Sequence, residues 1–336
     1  MVTRPDDVTR AAAAHLPTGG RRLLAASSAG GHFKQLVRLV DRIPDIGHIT
    51  WVTYDSGLVP DLLRAAGHGG DAVVFAPYAA PRDLVNLARN MAVIRRVLRS
   101  DAFDLAVSTG SGIAVAALPL ARAMGVRACF IESAARTQGP SLSGRILERC
   151  PGIDRCTQHP RYPTRWRYVG SVSDDFVAGP RREGPIGVQR VVVSLGTSEA
   201  YGFRRLVERL IAVLPAHVDV LWQTGATDTT GLGIDARPRV PGPEFEAAVA
   251  DADVVVAHAG MGSALTCFEK GVCPVLVPRR SRLGENVDDH QEVTANDLVA
   301  RGLAISCEAD ELSLAHLEQA ASRTVTPQPR PQPLEI

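Results

Sequence analysis

The sequence predicts an α/β chain of two doubly wound domains, each a parallel sheet covered by helices. Short apolar runs, of strand length, alternate with amphipathic stretches of helical period along almost the whole chain. The runs fall into two sets, divided at 172–189 by a segment rich in Gly, Pro and charge. A length of 336 residues suits two domains of ~100–200 residues each.

The first set of strands is RLLAAS (22–27), HITWVTY (48–54), DAVVFAP (71–77), DLAVSTG (104–110) and RACFIES (127–133). The second is RVVVSLG (190–196), VDVLWQTG (218–225), ADVVVAHAG (252–260) and CPVLVP (273–278). Helical stretches include 82–99, 203–213 and 287–302. Strand–helix alternation of this kind places helices on both faces of a parallel sheet. The expected layout is an N-terminal extension at 1–21, a first domain at 22–171, a linker at 172–189, a second domain at 190–322 and a disordered Pro-rich tail at 323–336. Two such Rossmann-like domains are expected to face each other across a cleft at the carboxyl ends of their strands.

Composition excludes several classes. Hydrophobic residues are 45% and charged residues 22%, as in ordinary globular chains. Thirty-seven basic against thirty-six acidic residues leave +1, so no bulk charge points to nucleic acid. The six cysteines form no CxxC and no Cys/His set with zinc spacing, so no metal is expected and the compartment reads as reducing and cytoplasmic. The first residues lack the apolar core of a signal peptide. Ile113–Met124 is the most apolar run, and Arg122 and its short length make it a buried helix rather than a membrane span.

The chemistry is expected after the strands. SSAGGHFKQL (27–36) offers Gly30 and Gly31, which bring bare amides to an anion at a helix start. His32 follows them as a candidate general base, or as a helix cap. STGSGIAV (108–115) is a second Gly/Ser turn. Glu132 ends a buried strand, where a lone carboxylate is costly; it is expected either toward the cleft or paired with Arg136.

In the second half, Gly196-Thr197 and Gln223-Thr224-Gly225 end two strands. AHAGMGSALTCFEKG (257–271) then runs strand, Gly-rich turn and helix, so Gly260, Gly262 and Ser263 can present N–H groups and a hydroxyl to a diphosphate. Glu269 lies seven residues past Gly262, on nearly the same helix face and ~10 Å along the axis. That separation suits a ribose beside a diphosphate. Asp289 and Gln291 open the 287–302 helix, where acids favour the dipole and where both side chains suit sugar hydroxyls. Asp251-Ala252-Asp253 enters a strand directly and reads as a helix end, not a metal-binding DxD pair.

Together these residues resemble the GT-B nucleotide-sugar glycosyltransferases. SSAGGHFKQL, STGSGIAV and IESAAR with SLSGRIL resemble the anchoring subunit of the two-subunit GlcNAc transferase of dolichol-linked oligosaccharide synthesis. VVVSLGTS, VVVAHAGMGSAL and DDHQ resemble its catalytic subunit, here joined in one chain. Bacterial exopolysaccharide transferases are similar in the same two halves. ALTCFE and the GGH loop are similar to the peptidoglycan GlcNAc transferase that completes lipid II.

The resemblance implies an inverting, metal-independent enzyme without a cofactor, using a UDP-sugar donor and a lipid-linked or polysaccharide acceptor. Gly260, Gly262, Ser263 and Glu269 would hold the diphosphate and ribose, with Gly196, Thr197, Gln223, Gly225 and His258 beside them. Backbone near Phe245, in the loop PGPEF before the last-but-one helix, would read uracil, and Asp289 and Gln291 would touch the donor sugar. Gly30, Gly31 and His32 would face the reacting centre, with Glu132 on the acceptor side. The eukaryotic anchoring subunit starts with a transmembrane helix that this sequence does not display. A soluble natural-product aglycone is therefore an alternative acceptor, and a UDP-GlcNAc 2-epimerase is an alternative activity on the same fold.

On a helix, Leu84, Leu87, Met91, Ile94 and Leu98 form one stripe, beside Arg82, Arg89, Arg95, Arg96 and Arg99. The stripe either packs on the sheet or docks with its arginines on an anionic membrane surface.

Overall fold

The computed structural model describes residues 19–57, 59–80, 83–184, 187–196 and 201–336. The chain divides into two compact units. Unit 1 holds the residues up to Ser133, Gly139–Val172 and Gln332–Ile336; unit 2 holds Ala134–Gln138 and Ser173–Pro331.

Unit 1 contains β1 (Arg21–Ser27), α1 (Gly31–Val40), β2 (Ile46–Tyr54), α2 (Val59–Ala65), β3 (Ala72–Ala76), α3 (Leu84–Ser100), β4 (Leu105–Gly110), α4 (Gly112–Ala123), β5 (Arg127–Ile131), α5 (Leu142–Leu147), β6 (Ile153–Thr157) and β7 (Arg167–Tyr168). Its sheet runs β3-β2-β1-β4-β5-β6-β7, with every pairing parallel. Leu23, Leu24, Ala25 and Ala26 are each at most 1% exposed, so β1 is covered on both faces. That explains why its sequence is continuously apolar rather than alternating. The apolar run at Ile113–Met124 is a buried helix: Ile113, Ala114, Ala116, Ala117, Leu118 and Ala121 of α4 lie in the core.

Unit 2 contains β8 (Phe176–Ala178), β9 (Arg190–Ser194), α6 (Arg204–Val213), β10 (Asp219–Gln223), β11 (Ala236–Arg237), α7 (Gly242–Asp251), β12 (Val254–His258), α8 (Met261–Glu269), β13 (Val275–Val277), α9 (His290–Ala300), β14 (Ile305–Ser306), α10 (Leu314–Ala321) and β15 (Val325–Pro327). Its main sheet runs β11-β10-β9-β12-β13-β14, again parallel throughout. Both units therefore have the 3-2-1-4-5-6 order of a Rossmann-like fold. In each, the order reverses beside the first strand, at β1/β4 and at β9/β12. The Asp251–Asp253 segment closes α7, and Asp253 accepts from the amides of Gln189 and Arg190, both at 2.8 Å.

Three expectations change. The 172–189 segment is not a bare linker: it carries a 3-10 turn at Val172–Asp175 and then β8. The tail at 323–336 is not disordered. β15 pairs antiparallel with β8, and Leu334 is 1% exposed. Arg42 donates to the carbonyls of Gln332 (2.8 Å) and Ser171 (2.6 Å), and Leu334 N donates to Arg42 O at 2.7 Å. A buried Leu and a shared arginine order a segment whose prolines form no regular structure of their own. Finally, the α3 stripe divides: Ile94 and Leu98 are buried, whereas Leu84 (74%), Val85 (63%) and Met91 (40%) are exposed.

At the amino edge of the unit 1 sheet, His68 bridges two carboxylates. Nε2 lies 2.7 Å from Asp41 and Nδ1 lies 2.9 Å from Asp71, which also accepts from Trp51 Nε1 at 3.0 Å. The hydrogen bond to Asp41, then that to Asp71, raises the imidazole to about 9. Unfolded, the ring titrates near ~6.5. Its raised pKa contributes stability in full below the unfolded value, and this is lost as pH rises through about 9. Melting temperatures from pH 6 to pH 10 should therefore fall more steeply in wild type than in His68→Gln. Parallel curves would remove the role of this clamp.

Candidate functional site

In unit 1 the reversal point brings the ends of β1 and β4 side by side. Gly30, at φ +91°, turns the chain into α1, and no side chain caps that helix. The amide of Gly31 lies in this uncapped first turn. His32 crosses the reversal point: Nδ1 lies 2.9 Å from Thr109 O, and Thr109 Oγ1 donates to His32 O at 2.8 Å. A carbonyl only accepts, so Nδ1 carries the proton, and in the neutral ring the lone pair is then on Nε2. That is the tautomer a base requires. Gly110 makes room for the ring. At φ +131°, a Cβ there would stand 3.0 Å from His32 Cε1.

Glu132 departs from both sequence expectations. It is 1% exposed, so it is neither solvated nor paired with Arg136, which instead bonds Asp288 at 2.7 Å. Its oxygens accept from the amides of Ser133 (3.2 Å) and Ser141 (2.8 Å). These two amides hold the carboxylate and pin the start of α5. Gly144 is bare against it: a Cβ there would stand 2.7 Å from Glu132 Oε2.

A buried amide network continues from this point. Gln158 Nε2 donates to Glu132 O and to Gln35 Oε1, both at 3.0 Å, and Gln35 Nε2 donates to Ser133 Oγ at 3.1 Å. It bolts α1, which carries His32, to the ends of β5 and β6. Sequence reading missed Gln35 and Gln158, because a Gln in an amphipathic helix or after a short polar strand reads as surface.

Unit 2 repeats the device with the roles of the strands exchanged. His258 ends β12, and its Nδ1 lies 3.1 Å from Ser194 O at the end of β9. Burial, then the charge of Arg279, lowers the ring to about 4, so it is neutral at physiological pH. Two glycines flank it. A Cβ on Gly196 (φ +81°) would stand 2.9 Å from Cε1, and one on Gly260 only 2.2 Å from Nε2. Gly260 is the uncapped N-cap of α8. The amides of Met261, Gly262 and Ser263 therefore have no side-chain cap at the start of α8.

Ser263 Oγ lies 3.0 Å from Ser194 Oγ. Gln223, 5% exposed, lies beneath them and is not open to a ligand. Nε2 bonds Ser194 Oγ at 3.4 Å, and Oε1 accepts from Val240 N at 3.1 Å. It links the Gly-rich turn before α8 to the segment that enters α7.

The remaining residues fall as follows. Glu269 is exposed at the end of α8. Gly225, at φ +57°, turns the chain after β10, and its N–H bonds Pro238 O at 3.0 Å. Phe245 lies in α7, not in a loop, and its own N–H is spent on Pro241 O at 2.8 Å. The first-turn amides of α7 belong to Gly242 and Glu244, because Pro243 has none.

Asp289 accepts from Ser281 N (2.8 Å) and Ser281 Oγ (2.9 Å), which hold its carboxyl below the usual range. Gln291, 5% exposed, accepts from Arg279 N at 3.0 Å. Both brace the loop that precedes α9. Thr197 lies outside the described residues. Among the described residues no group of three or more His, Cys, Asp or Glu stands where it could hold a metal.

The chain is similar to known proteins in sequence and in fold. Residues 190–335 match the glycosyltransferase family 28 C-terminal domain. The UDP-N-acetylglucosamine–N-acetylmuramyl-(pentapeptide) pyrophosphoryl-undecaprenol N-acetylglucosamine transferase of Synechococcus sp. (strain JA-3-3Ab) is 28% identical over 330 residues, covering 91% of this chain and 86% of that protein. Among solved structures, Acinetobacter baumannii MurG superposes with TM-score 0.52 at 18% identity, covering 89% of this chain and 88% of MurG. A UDP-N-acetylglucosamine 2-epimerase superposes with TM-score 0.56 at 10% identity, covering 90% and 86%.

The fold is thus shared by a transferase and an isomerase and does not choose between them; the matches in sequence do. The chain is a glycosyltransferase with the two Rossmann-like domains of the GT-B class. Within that class it is related to the MurG-like transferases.

Two substitutions test the seats of the two buried groups. Glu132→Gln should cost roughly 1.5–3 kcal/mol in denaturant unfolding, through lost charge-assisted hydrogen bonds. Gly260→Ala should displace the His258 ring and lower the melting temperature. An unchanged stability in either variant would contradict the geometry given for that seat.

Proposed function

We propose that this protein is an inverting transferase that moves GlcNAc, a hexose or a hexuronate from a UDP-sugar to a hydroxyl of a lipid-linked saccharide or cell-surface polysaccharide intermediate. Unit 2 binds the donor and unit 1 receives the acceptor. We also read the chain as the two subunits of a split transferase joined in one polypeptide. The observation that carries the reading is the tautomer of His32, whose Nδ1–H is committed to Thr109 O.

The acceptor hydroxyl attacks the anomeric carbon from the face opposite the diphosphate. His32 Nε2 takes its proton as the new C–O bond forms. The bond to the diphosphate oxygen breaks with its electron pair, and the α8 amides and the hydroxyl of Ser263 meet the charge that develops. Dipoles therefore supply the stabilisation, and the reading needs no metal. Glu269 accepts from the ribose hydroxyls, and Asp289 and Gln291 lie toward the donor sugar. Glu132, held by amides, orders the acceptor side rather than moving a proton.

The exposed Leu84, Val85 and Met91, beside the exposed Arg89, Arg95 and Arg96, support docking of α3 on an anionic leaflet. No helix among the described residues is long and apolar enough to cross a membrane.

Glu269→Ala should weaken UDP binding by roughly 1.5–3 kcal/mol, with or without an attached sugar. His32→Ala should slow transfer ~10²–10⁴-fold with donor affinity nearly intact. Loss of transfer in Glu132→Gln but not in His32→Ala would reverse the assignment of the base. Turnover of UDP-GlcNAc without any acceptor would instead indicate an epimerase. Co-sedimentation should show binding to anionic but not neutral vesicles, reduced when Arg89, Arg95 and Arg96 are all changed to Gln. Binding indifferent to lipid charge would shift the acceptor toward a soluble aglycone.

A further inference from the structure

Arg279 stands two residues past β13 and is 3% exposed. Its Nη2 donates to Leu195 O at 2.7 Å, and its guanidinium carbon lies 5.7 Å from the centre of the Phe203 ring. Its Nε is buried without a hydrogen-bond partner. Among the described residues no carboxylate is bonded to it. Glu285 attracts it at longer range, but the oxygens of Glu285 are spent on Arg205 and on the amide of Arg280. Removing a cation from water is costly unless an opposite charge offsets it. Among the described residues no side chain bonds to it as that charge.

Three contacts tie Arg279 to the donor end of unit 2. Leu195, whose carbonyl it holds, precedes Gly196 in the turn beside His258. Its own amide is held by Gln291 at 3.0 Å. Its charge also acts on His258, helping to keep that ring neutral. Two other arginines of unit 2 have acids of their own. Arg280 is paired with Glu292 and Glu308, and Arg136 with Asp288.

We propose that the counter-charge of Arg279 is the diphosphate of the nucleotide donor, and that this guanidinium stabilises the diphosphate as it departs. The inference rests on the donor reading above and adds to it a full positive charge beside the dipoles of α8. When the sugar–oxygen bond breaks, its electron pair goes to the terminal phosphate oxygen and the anion gains charge. A neutral His258 and a row of amides meet that increase only with dipoles. A buried guanidinium meets it with a fixed charge in a low-dielectric setting, where the attraction is strong.

The test is calorimetry of the full chain with uridine, UMP and UDP. Wild type should bind UDP more tightly than UMP, and UMP more tightly than uridine. Arg279→Met should lose roughly 10–100-fold in UDP affinity with uridine affinity unchanged, as for loss of a charged hydrogen-bonding partner. Arg279→Lys, which keeps the charge, should retain most of the preference for UDP over uridine. Three results would overturn the proposal: UDP affinity unchanged in Arg279→Met, equal loss of uridine and UDP in that variant, or a lysine variant no better than methionine. Failure of the donor reading is seen separately, in a wild-type protein that binds neither UDP nor uridine.

Discussion

An imidazole hydrogen-bonded across the point where strand order reverses is the interaction on which both halves of this protein depend. In a doubly wound sheet the first and fourth strands lie side by side but send their helices to opposite faces, which opens a crevice at their carboxyl ends. His32 closes one such gap onto Thr109 O, and His258 closes the other onto Ser194 O. Each bond fixes the ring tautomer and ties together two turns that the sheet ladder no longer holds. Each also dictates glycine nearby, because a β-carbon at Gly110, Gly196 or Gly260 would stand within about 3 Å of a ring atom. The Gly-rich turns are therefore explained twice, by the bare amides they present and by the rings they accommodate.

Around these rings the protein buries polar groups that a purely apolar core would exclude. Glu132, Gln35, Ser133 and Gln158 are each 3% exposed or less, and each has a hydrogen-bonded partner. A network of that kind is costly if broken and directional if complete. It sets where α1 begins relative to β5 and β6, which packing of Leu and Val alone leaves free to slide. Gln223 and Ser194 do the same for the α8 start in unit 2, joining Ser263 to the entrance of α7. Arg279 is the exception, a buried charge without a bonded acid among the described residues.

Periodicity alone carried the fold class. The nine apolar runs at 22–27 through 273–278 lie on β1–β5, β9, β10, β12 and β13. The sequence also placed Gly30, Gly31, His32, Gly196, His258, Gly260, Gly262 and Ser263 after strands of the correct sheets, because strand–turn–helix order is local and written in composition. It missed β6, β7, β11 and β14, which are short or polar and are recruited by a sheet edge rather than by their own pattern. It also assigned disorder to a tail whose Leu334 is buried.

What the amino-acid sequence determined by itself, then, is the sequence of strands, turns and helices and the positions of the exposed amides, since these follow from spacing along the chain. What only the tertiary structure decided is which polar groups are used up. Glu132 is satisfied by amides nine residues apart or nearer, Asp289 by Ser281, Gln291 by Arg279 and Gln223 by Val240. Among the described residues the charge of Arg279 has no bonded acid. Burial and hydrogen-bond partnership depend on how the turns and loops fold back at the strand ends, and no periodic pattern of residues encodes which donor will meet which acceptor.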